Sequence, residues 1–314
     1  MYLGIDVGGT NLVAGLVDRE GSLIHKAACP VDRSWSQEEL VFQLARLSVR
    51  AAEEGGCPLE KLEGAGVGLP GLVDNDAGVV VTTPNMPFRD APFRELYQRE
   101  LDIPVYLGND ADCAAAGEYW AGAAKGCDPV VMITLGTGIG GGLVRGGKLY
   151  TGFGGAGMEV GHLVTHPEGI LCGCGNRGCW ERYGSATALI QQTKAAMEQD
   201  RDSALWTVCG GDLNRVEGRT PFQAAAQGDR TALRVLEQYR RELSYGLITL
   251  CNTLFPKVIC LGGGVSGADE ELLLRPLEKL VHAGCFNQGA LPKLVRASLG
   301  NDAGVVGAAM LCLM

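Results

Sequence analysis

The sequence has little positive charge and no long apolar run. Its 314 residues include 27 Lys and Arg against 36 Asp and Glu, which gives a formal net charge of −9. A protein that binds DNA or RNA without regard to sequence must neutralise phosphates with a basic surface, so this balance argues against a nucleic-acid partner. No apolar stretch reaches the roughly 18 residues of a membrane-spanning helix, so we expect no membrane partner.

Residues 1–6, "MYLGID", lack the charged and apolar regions of a signal peptide. We therefore expect a cytoplasmic protein whose cysteines are reduced. Five of the twelve cysteines lie in apolar or small-residue segments, where a thiol packs as a small hydrophobic group: Cys29, Cys113, Cys251, Cys260 and Cys312. A linker rich in Pro or Ser is also missing, so a domain boundary must be placed from the pattern of elements.

Glycine, in contrast, is abundant, and it occurs in short runs. The 47 glycines are roughly twice the average usage. Residues 2–31 and 130–152 share one layout, in which a strand, a glycine turn, a second strand, a second turn and a third strand follow in order. This internal repeat predicts two related α/β units.

We place the boundary between an N-terminal α/β domain at residues 1–118 and a C-terminal one at residues 119–314. The last segment, 303–314, is expected to form a helix that packs back on the first domain. "TPFQ" at 220–223 resembles a helix capping box. Apolar residues at three- and four-residue steps then predict one buried helical stripe: Leu236, Tyr239, Leu243, Leu247, Leu250 and Leu254.

The first glycine turn indicates a phosphate-binding loop. It links two strands, which excludes a Walker loop and a dinucleotide fingerprint, because both need a helix next. Backbone N–H groups of such a turn can surround phosphate oxygens, and an acid at the end of the strand suits Mg²⁺. The residues concerned are Asp6, Gly8, Gly9, Thr10 and Asn11. A plain hairpin capped by an Asp is the alternative for this turn taken alone.

Two further glycine runs favour a nucleotide over a plain hairpin. Gly136, Thr137 and Gly138 form the matching turn of the second repeat, which predicts that the two turns hold one polyphosphate from opposite sides. The hydroxyls of Thr10 and Thr137 then face the β- and γ-phosphates. Gly262, Gly263 and Gly264 follow a buried strand and suit close approach by a flat adenine.

Asn109 and Asp110 end the strand "PVYLGND" and begin a helix. Capping a helix N-terminus is the ordinary role of such a pair. Because the pair lies near the predicted junction of the two domains, Asp110 is the candidate for the carboxylate that accepts a proton from an attacking hydroxyl.

Three cysteines lie close together in "LCGCGNRGCWE" at residues 171–181. A redox role would need an exposed, activated thiolate, and Cys-x-Cys spacing is poor for a disulfide. The segment taken alone leaves a redox role, a metal site and a part of an active site open.

Taken in order along the whole chain, these motifs resemble the ROK family of repressors and sugar kinases. The segments that carry the resemblance are "GIDVGGTN", "GVGLPGLVD", "TPN", "GNDADCAAAGE", "ITLGTGIGGG", "EVGH", "CGCGNRGCWE" and "LGGGVSG". The resemblance implies an actin-like ATPase (ribonuclease H-like) fold, with two α/β domains and a cleft between them. The family members that the chain resembles most are ATP-dependent glucokinases.

The resemblance implies an enzyme that transfers the γ-phosphate of ATP to the 6-hydroxyl of glucose, with Mg²⁺ and a structural Zn²⁺ as cofactors. It implies a hexose and ATP as small-molecule partners, and a homodimer. A kinase for N-acetylglucosamine, mannose, fructose or allose is the alternative within this class. A different alternative is a non-catalytic, sugar-sensing protein of the same family.

Residue by residue, the resemblance makes Asp110 the general base. The other sugar ligands it implies are Gly71, Asn85, Asn109, Glu159, His162 and Glu181, while Asp6 and the glycine turns hold Mg·ATP. It assigns zinc to His162, Cys172, Cys174 and Cys179, so that the metal would fix the nearby sugar ligands. The position of Asn11 is often lysine in the family, which removes one charge directed at phosphate.

A repressor or sugar sensor of this family carries a DNA-binding helix-turn-helix ahead of the first glycine strand. Here that strand begins at residue 2, and the chain is acidic. Asp110 is also present, which a sensor would not need. We therefore favour the kinase.

Overall fold

The computed structural model describes residues 1–84 and 86–314, which divide into two compact units. Unit 1 consists of Met1–Met132, Gly142–Met158 and Ala297–Met314, and unit 2 consists of Ile133–Gly141 and Glu159–Arg296. The predicted boundary at 118–119 lies inside a helix, Asp110–Trp120, whose residues 111–118 are buried within unit 1. The chain is therefore divided differently from the prediction, because it leaves unit 1 and returns to it twice.

Unit 1 is built on a five-stranded sheet with the order β3-β2-β1-β4-β8. β1, β2 and β3 form an antiparallel meander, while β1, β4 and β8 are parallel. A smaller antiparallel sheet has the order β5-β6-β7. The strands are β1 (Tyr2–Val7), β2 (Asn11–Val17), β3 (Leu23–Pro30), β4 (Gly64–Leu69), β5 (Leu72–Asp74), β6 (Val79–Thr82), β7 (Arg89–Ala91) and β8 (Val105–Asn109).

Four helices pack in unit 1: α1 (Gln37–Glu54), α2 (Phe93–Glu100), α3 (Asp110–Trp120) and α10 (Ala303–Met310). The Ser36 side chain caps α1 by accepting a hydrogen bond from the Glu39 backbone. α10 packs against α3, β1 and β4, and a Cβ at Gly66 would overlap the carbonyl oxygen of Ala308. The helix expected over 303–314 thus lies directly on the first sheet.

A second five-stranded sheet has the order β11-β10-β9-β12-β13. Its strands are β9 (Val130–Leu135), β10 (Ile139–Arg145), β11 (Lys148–Leu149), β12 (Val258–Gly262) and β13 (Lys293–Arg296). Both sheets begin with a strand–turn–strand–turn–strand segment at one side and add parallel strands at the other. The shared order is what the repeated sequence layout predicts.

The helices of unit 2 are α4 (Glu181–Gly184), α5 (Ala186–Gln199), α6 (Ala204–Val208), α7 (Thr220–Ala226), α8 (Arg230–Leu254) and α9 (Leu274–Gly284). The capping box predicted at 220–223 is wrong, because the Thr220 hydroxyl accepts a hydrogen bond from the Glu217 backbone, which precedes the helix. The apolar stripe lies on a separate helix, α8, which Asp229 caps. Its residues from Leu236 to Leu250 are buried as predicted, and Leu254 is half-buried.

Within residues 1–84 and 86–314, no helix combines the length and the apolar character that are needed to cross a bilayer.

Candidate active site

In unit 1, the predicted site residues lie at, or directly after, the carboxyl ends of three neighbouring parallel strands. Asp6 of β1 is paired with Gly68 of β4, and Leu69 of β4 is paired with Asn109 of β8. Ligands of open α/β sheets bind at this edge. The strand register therefore brings Asp6, Gly71, Asn109 and Asp110 to one edge, whereas Asn85 lies outside the described residues.

Asn109 is held from two sides. Its Oδ1 accepts a hydrogen bond of 2.7 Å from the Ala111 backbone N–H, which caps α3, and its Nδ2 donates one of 2.8 Å to the Gly71 carbonyl. The ordinary capping role of this residue is thus confirmed. An amide also has a second N–H and further lone pairs, so a sugar hydroxyl can still bind to it.

Asp110 is the first residue of α3, and its Oδ1 accepts a hydrogen bond of 2.9 Å from the Ala111 backbone. Asp110 is exposed to solvent. Even so, the protein atoms around its carboxyl group partly desolvate it, and this raises the pKa of Asp110 above its usual value. A carboxylate with a raised pKa at an accessible position is suited to accept a proton.

Burial raises the pKa of Asp6 to about 6, and the negative charge of Asp110 adds to the shift. Two neighbouring carboxylates repel each other when both are ionised. A divalent cation would remove the repulsion, and carboxylate oxygens are ligands that Mg²⁺ prefers. Asp6 is therefore suited to hold Mg²⁺ beside Asp110.

In each glycine turn the first backbone N–H bonds within the turn, across three residues in the first turn and across two in the second. The N–H of Gly8 donates to the carbonyl of Asn11 at 3.0 Å, and the N–H of Gly136 donates to the carbonyl of Gly138 at 3.1 Å. The first amide of each turn is therefore used within the turn, and a phosphate would have to bind the later ones. Thr10 and Thr137 are exposed in these turns, as a phosphate-binding role requires.

Two of the three predicted nucleotide segments lie together in unit 2. β12 ends at Gly262, and Gly263 has a φ of +83°. A Cβ at Gly263 would overlap the carbonyl oxygen of Leu135, the residue before the turn at 136–138. Only glycine fits this close approach and this backbone conformation.

His162, Cys172, Cys174 and Cys179 form a group that could hold a metal ion, because their ligand atoms all lie within 4.8 Å of one another. The Sγ atoms of Cys174 and Cys179 are 3.6 Å apart, and Cys172 Sγ is 3.8 Å from His162 Nδ1. A tetrahedral zinc site with Zn–S bonds of about 2.3 Å places its sulfurs about 3.8 Å apart. The donor set and its spacing therefore fit zinc.

The loop that carries the cysteines is fixed by its own backbone. Cys172 N–H donates to the Asn176 carbonyl at 2.8 Å, and Trp180 N–H donates to the Leu163 carbonyl at 2.7 Å. Trp180 is fully buried, and its Nε1 donates to the Glu242 carbonyl of α8 at 3.0 Å. Trp180 therefore anchors the next residue, Glu181, to the core of unit 2.

The thiols of this cluster differ in acidity when no metal binds them. Burial raises the pKa of Cys179 to about 12 and also raises that of Cys172. Cys174 is exposed, and a hydrogen bond from the Asn176 backbone lowers its pKa. Within the described residues, none of the twelve cysteines forms a disulfide.

Glu181 lies beside the cysteine cluster. Its Oε1 accepts a hydrogen bond of 3.1 Å from Cys172 Sγ and lies 4.0 Å from His162 Nδ1. Glu159 is exposed directly before the short turn Val160–His162. Unit 2 therefore places Glu181 next to the four candidate metal ligands, one of which is His162.

One contact of this region was not predicted. The hydroxyl of Thr187 donates a hydrogen bond of 2.8 Å to the carbonyl of Thr137 in the second glycine turn. A threonine in the first turn of a helix is common, so the sequence contains no signal for this contact.

Comparison with known proteins gives full-length matches. A model described as the ROK family matches residues 2–314. The glucokinase of Streptomyces coelicolor is 36% identical over 315 residues, covering 98% of this chain and 96% of that protein. The glucokinase of Thermotoga maritima is 33% identical over 309 residues, covering 98% and 95%.

A solved structure matches the fold over the same length. It is a ROK family glucokinase from Streptomyces griseus in complex with glucose and AMPPNP. Its TM-score is 0.82 at 35% identity, and the match covers 99% of this chain and 98% of that one.

Proposed function

Since this chain belongs to the ROK family, we propose that it transfers the γ-phosphate of ATP to the 6-hydroxyl of glucose. The predicted actin-like ATPase fold of two α/β parts is confirmed. The observation that carries the proposal is the edge of the first sheet, where β1, β4 and β8 bring Asp6, Asn109 and Asp110 together. The full-length glucokinase relatives support glucose as the acceptor.

In the proposed reaction, Asp110 accepts the proton of the sugar hydroxyl as the oxygen attacks the γ-phosphorus. The new O–P bond forms while the bond to the β-phosphate oxygen breaks, and ADP leaves. Asn109 holds a neighbouring hydroxyl, because its amide is already fixed between Gly71 and Ala111. Phosphoryl transfer depends mainly on such alignment and on charge neutralisation.

We propose that the nucleotide binds at the glycine turns. The amides that follow Gly8 and Gly136 would bind phosphate oxygens, and the run at 262–264 would lie against the adenine. Asp6 would hold Mg²⁺, directly or through water, and the cation supplies positive charge to the phosphates. The repulsion between Asp6 and Asp110 supports a cation at this position.

We also propose that Glu159, His162 and Glu181 bind the sugar, and that His162 and the three cysteines bind structural zinc. A closed set of one imidazole and three thiolates suits a structural site. The metal would hold the loop of residues 162–179 and thereby His162 and Glu181. Thiol titration with and without a chelator tests this, because thiols that react only after chelation indicate metal, whereas rapid labelling of Cys174 indicates a redox thiol.

The proposed activity is tested by ADP release from ATP and Mg²⁺ with glucose, N-acetylglucosamine, mannose, fructose and allose. We expect the highest kcat/KM with glucose. No turnover with any hexose would exclude the kinase, and turnover confined to another sugar would move the proposal to that substrate. Polyphosphate in place of ATP tests the donor, and light scattering tests the homodimer, which stays a prediction.

A further inference from the structure

The second glycine turn lies beside Glu181, whose carboxylate is proposed to bind the sugar and which belongs to the same unit. An ideal Cβ at Gly138 would lie 2.5 Å from Oε2 of Glu181 and 3.6 Å from its Cδ. The backbone of Gly138 has no positive φ, so conformation alone does not require glycine there. What the position requires is the absence of a side chain, because the carboxylate occupies that space.

The same turn is joined to the segment that follows Glu181. Ala186 N–H donates to the Gly136 carbonyl at 2.9 Å, and the Thr187 hydroxyl donates to the Thr137 carbonyl at 2.8 Å. Glu181 begins α4, and Ser185 alone separates α4 from α5. Two hydrogen bonds therefore fasten the turn to the segment that carries the Glu181 carboxylate, and the carboxylate lies beside Gly138.

The Glu181 carboxylate is restrained on its other side as well. Its Oε1 lies 3.1 Å from Cys172 Sγ, a contact that is steric and not a hydrogen bond once zinc holds Cys172 as a thiolate, while its Oε2 faces Gly138. The side chain is about a quarter exposed, at 24%. Its orientation is thus set between the cysteine cluster and the glycine turn.

We propose that Gly138 is a positioning residue for the sugar, acting through the Glu181 carboxylate, in addition to its place in the nucleotide turn. The proposal rests on the proposed kinase function and assigns part of the sugar's affinity to a turn that the sequence pattern links only to phosphate. Movement of this turn would move Glu181 with it, so that phosphate binding and sugar binding are coupled within one unit.

The test is Gly138→Ala, with initial rates measured against glucose and against ATP. The added methyl meets the far end of a flexible side chain, so the carboxylate moves and the backbone stays in place. A hydrogen bond to a charged group is lost, and we expect the KM for glucose to rise by roughly ten- to a hundred-fold. The KM for ATP should change by less than about three-fold, because alanine keeps the backbone N–H.

A double-mutant cycle identifies the route of the effect. In a Glu181→Ala background, Gly138→Ala should leave the KM for glucose unchanged, because the group through which it acts has been removed. A rise of equal size in both backgrounds would overturn the proposal, and so would a rise confined to the KM for ATP. Gly267→Ala is the matched control, since nothing lies within 4 Å of its Cβ, and it should match the wild type.

A second variant keeps the proposal testable if Gly138→Ala does not fold. Thr187→Val removes the hydrogen bond to the Thr137 carbonyl without adding bulk, and we expect it to raise the KM for glucose by a few-fold. An unchanged KM for glucose in this variant would contradict the coupling. A wild-type protein that phosphorylates no hexose would instead refute the proposed function, so the two failures are distinct.

Discussion

Replacing Asp110 by Asn tests the general base with the least structural disturbance. The Asn side chain keeps an Oδ1 that can accept the 2.9 Å hydrogen bond from the Ala111 backbone. The start of α3 is therefore preserved, and the lost charge at a helix N-terminus costs about 0.3–1 kcal/mol at most. The proton acceptor, in contrast, is removed completely.

A positioned base contributes roughly 10²–10⁴ to the rate, which corresponds to about 3–5.5 kcal/mol of activation free energy. We expect kcat to fall by this factor in the coupled ADP-release assay. Glucose binding, measured by calorimetry, should remain within about ten-fold of the wild type, because Asn109 and the ligands of unit 2 are unchanged.

Asp102→Asn is the matched control, since Asp102 is an exposed acid in the loop before β8 and should leave kcat unaltered. An Asp110→Asn variant that keeps most of its kcat would remove Asp110 as the base. A variant that lost glucose binding together with kcat would indicate a ligand and not a base.

The remaining predictions concern the metal ions and one buried carboxylate. Because the pKa of Asp6 is raised to about 6 from 3.8, ATP affinity should fall as the pH drops through about 6 and Asp6 is protonated; a flat KM for ATP across that range would contradict a magnesium role. Without Mg²⁺, folded Asp6 holds its proton to a higher pH than unfolded Asp6 does. The contribution of Asp6 to the free energy of unfolding therefore falls as the pH rises from about 4 to 6. Cys174→Ser should release zinc, measured by elemental analysis, and should lower the melting temperature and raise the KM for glucose; loss of zinc with both unchanged would refute the structural role. Glu118 is fully buried and accepts hydrogen bonds from the backbones of Ala123, Ser298 and Leu299, so Glu118→Gln, which puts an amide N–H₂ against at least one of these donors, should cost about 1–3 kcal/mol in urea unfolding.

The strand pattern was predictable because it depends on local signals. Short apolar runs bounded by glycine predicted β1, β2, β9 and β10, and the repeated layout predicted the shared sheet order. The ND pair could be placed at a helix start for the same reason. These features depend on residues that are close together in the sequence.

The division of the chain was not predictable in this way. The packing of the last helix on the first sheet was expected, but the membership of residues 119–132 and 142–158 in unit 1 depends on contacts between residues far apart in the sequence. The contact between Gly138 and Glu181 is likewise tertiary, and a glycine in a turn gives no indication of which side chain fills the space beside it. The capping box at 220–223 was wrong because its sequence pattern does not show from which backbone N–H the Thr220 hydroxyl accepts a hydrogen bond.

The return of residues 297–314 to unit 1 has a consequence for how the protein is made. β1 ends at Val7, whereas α10, which covers it, begins at Ala303. Domains usually fold in order as the ribosome releases them. Here the sheet made first has to wait for almost the whole chain to be translated before its covering helix exists. The surface of β1 and β4 that α10 covers is therefore left open until the last residues have been made.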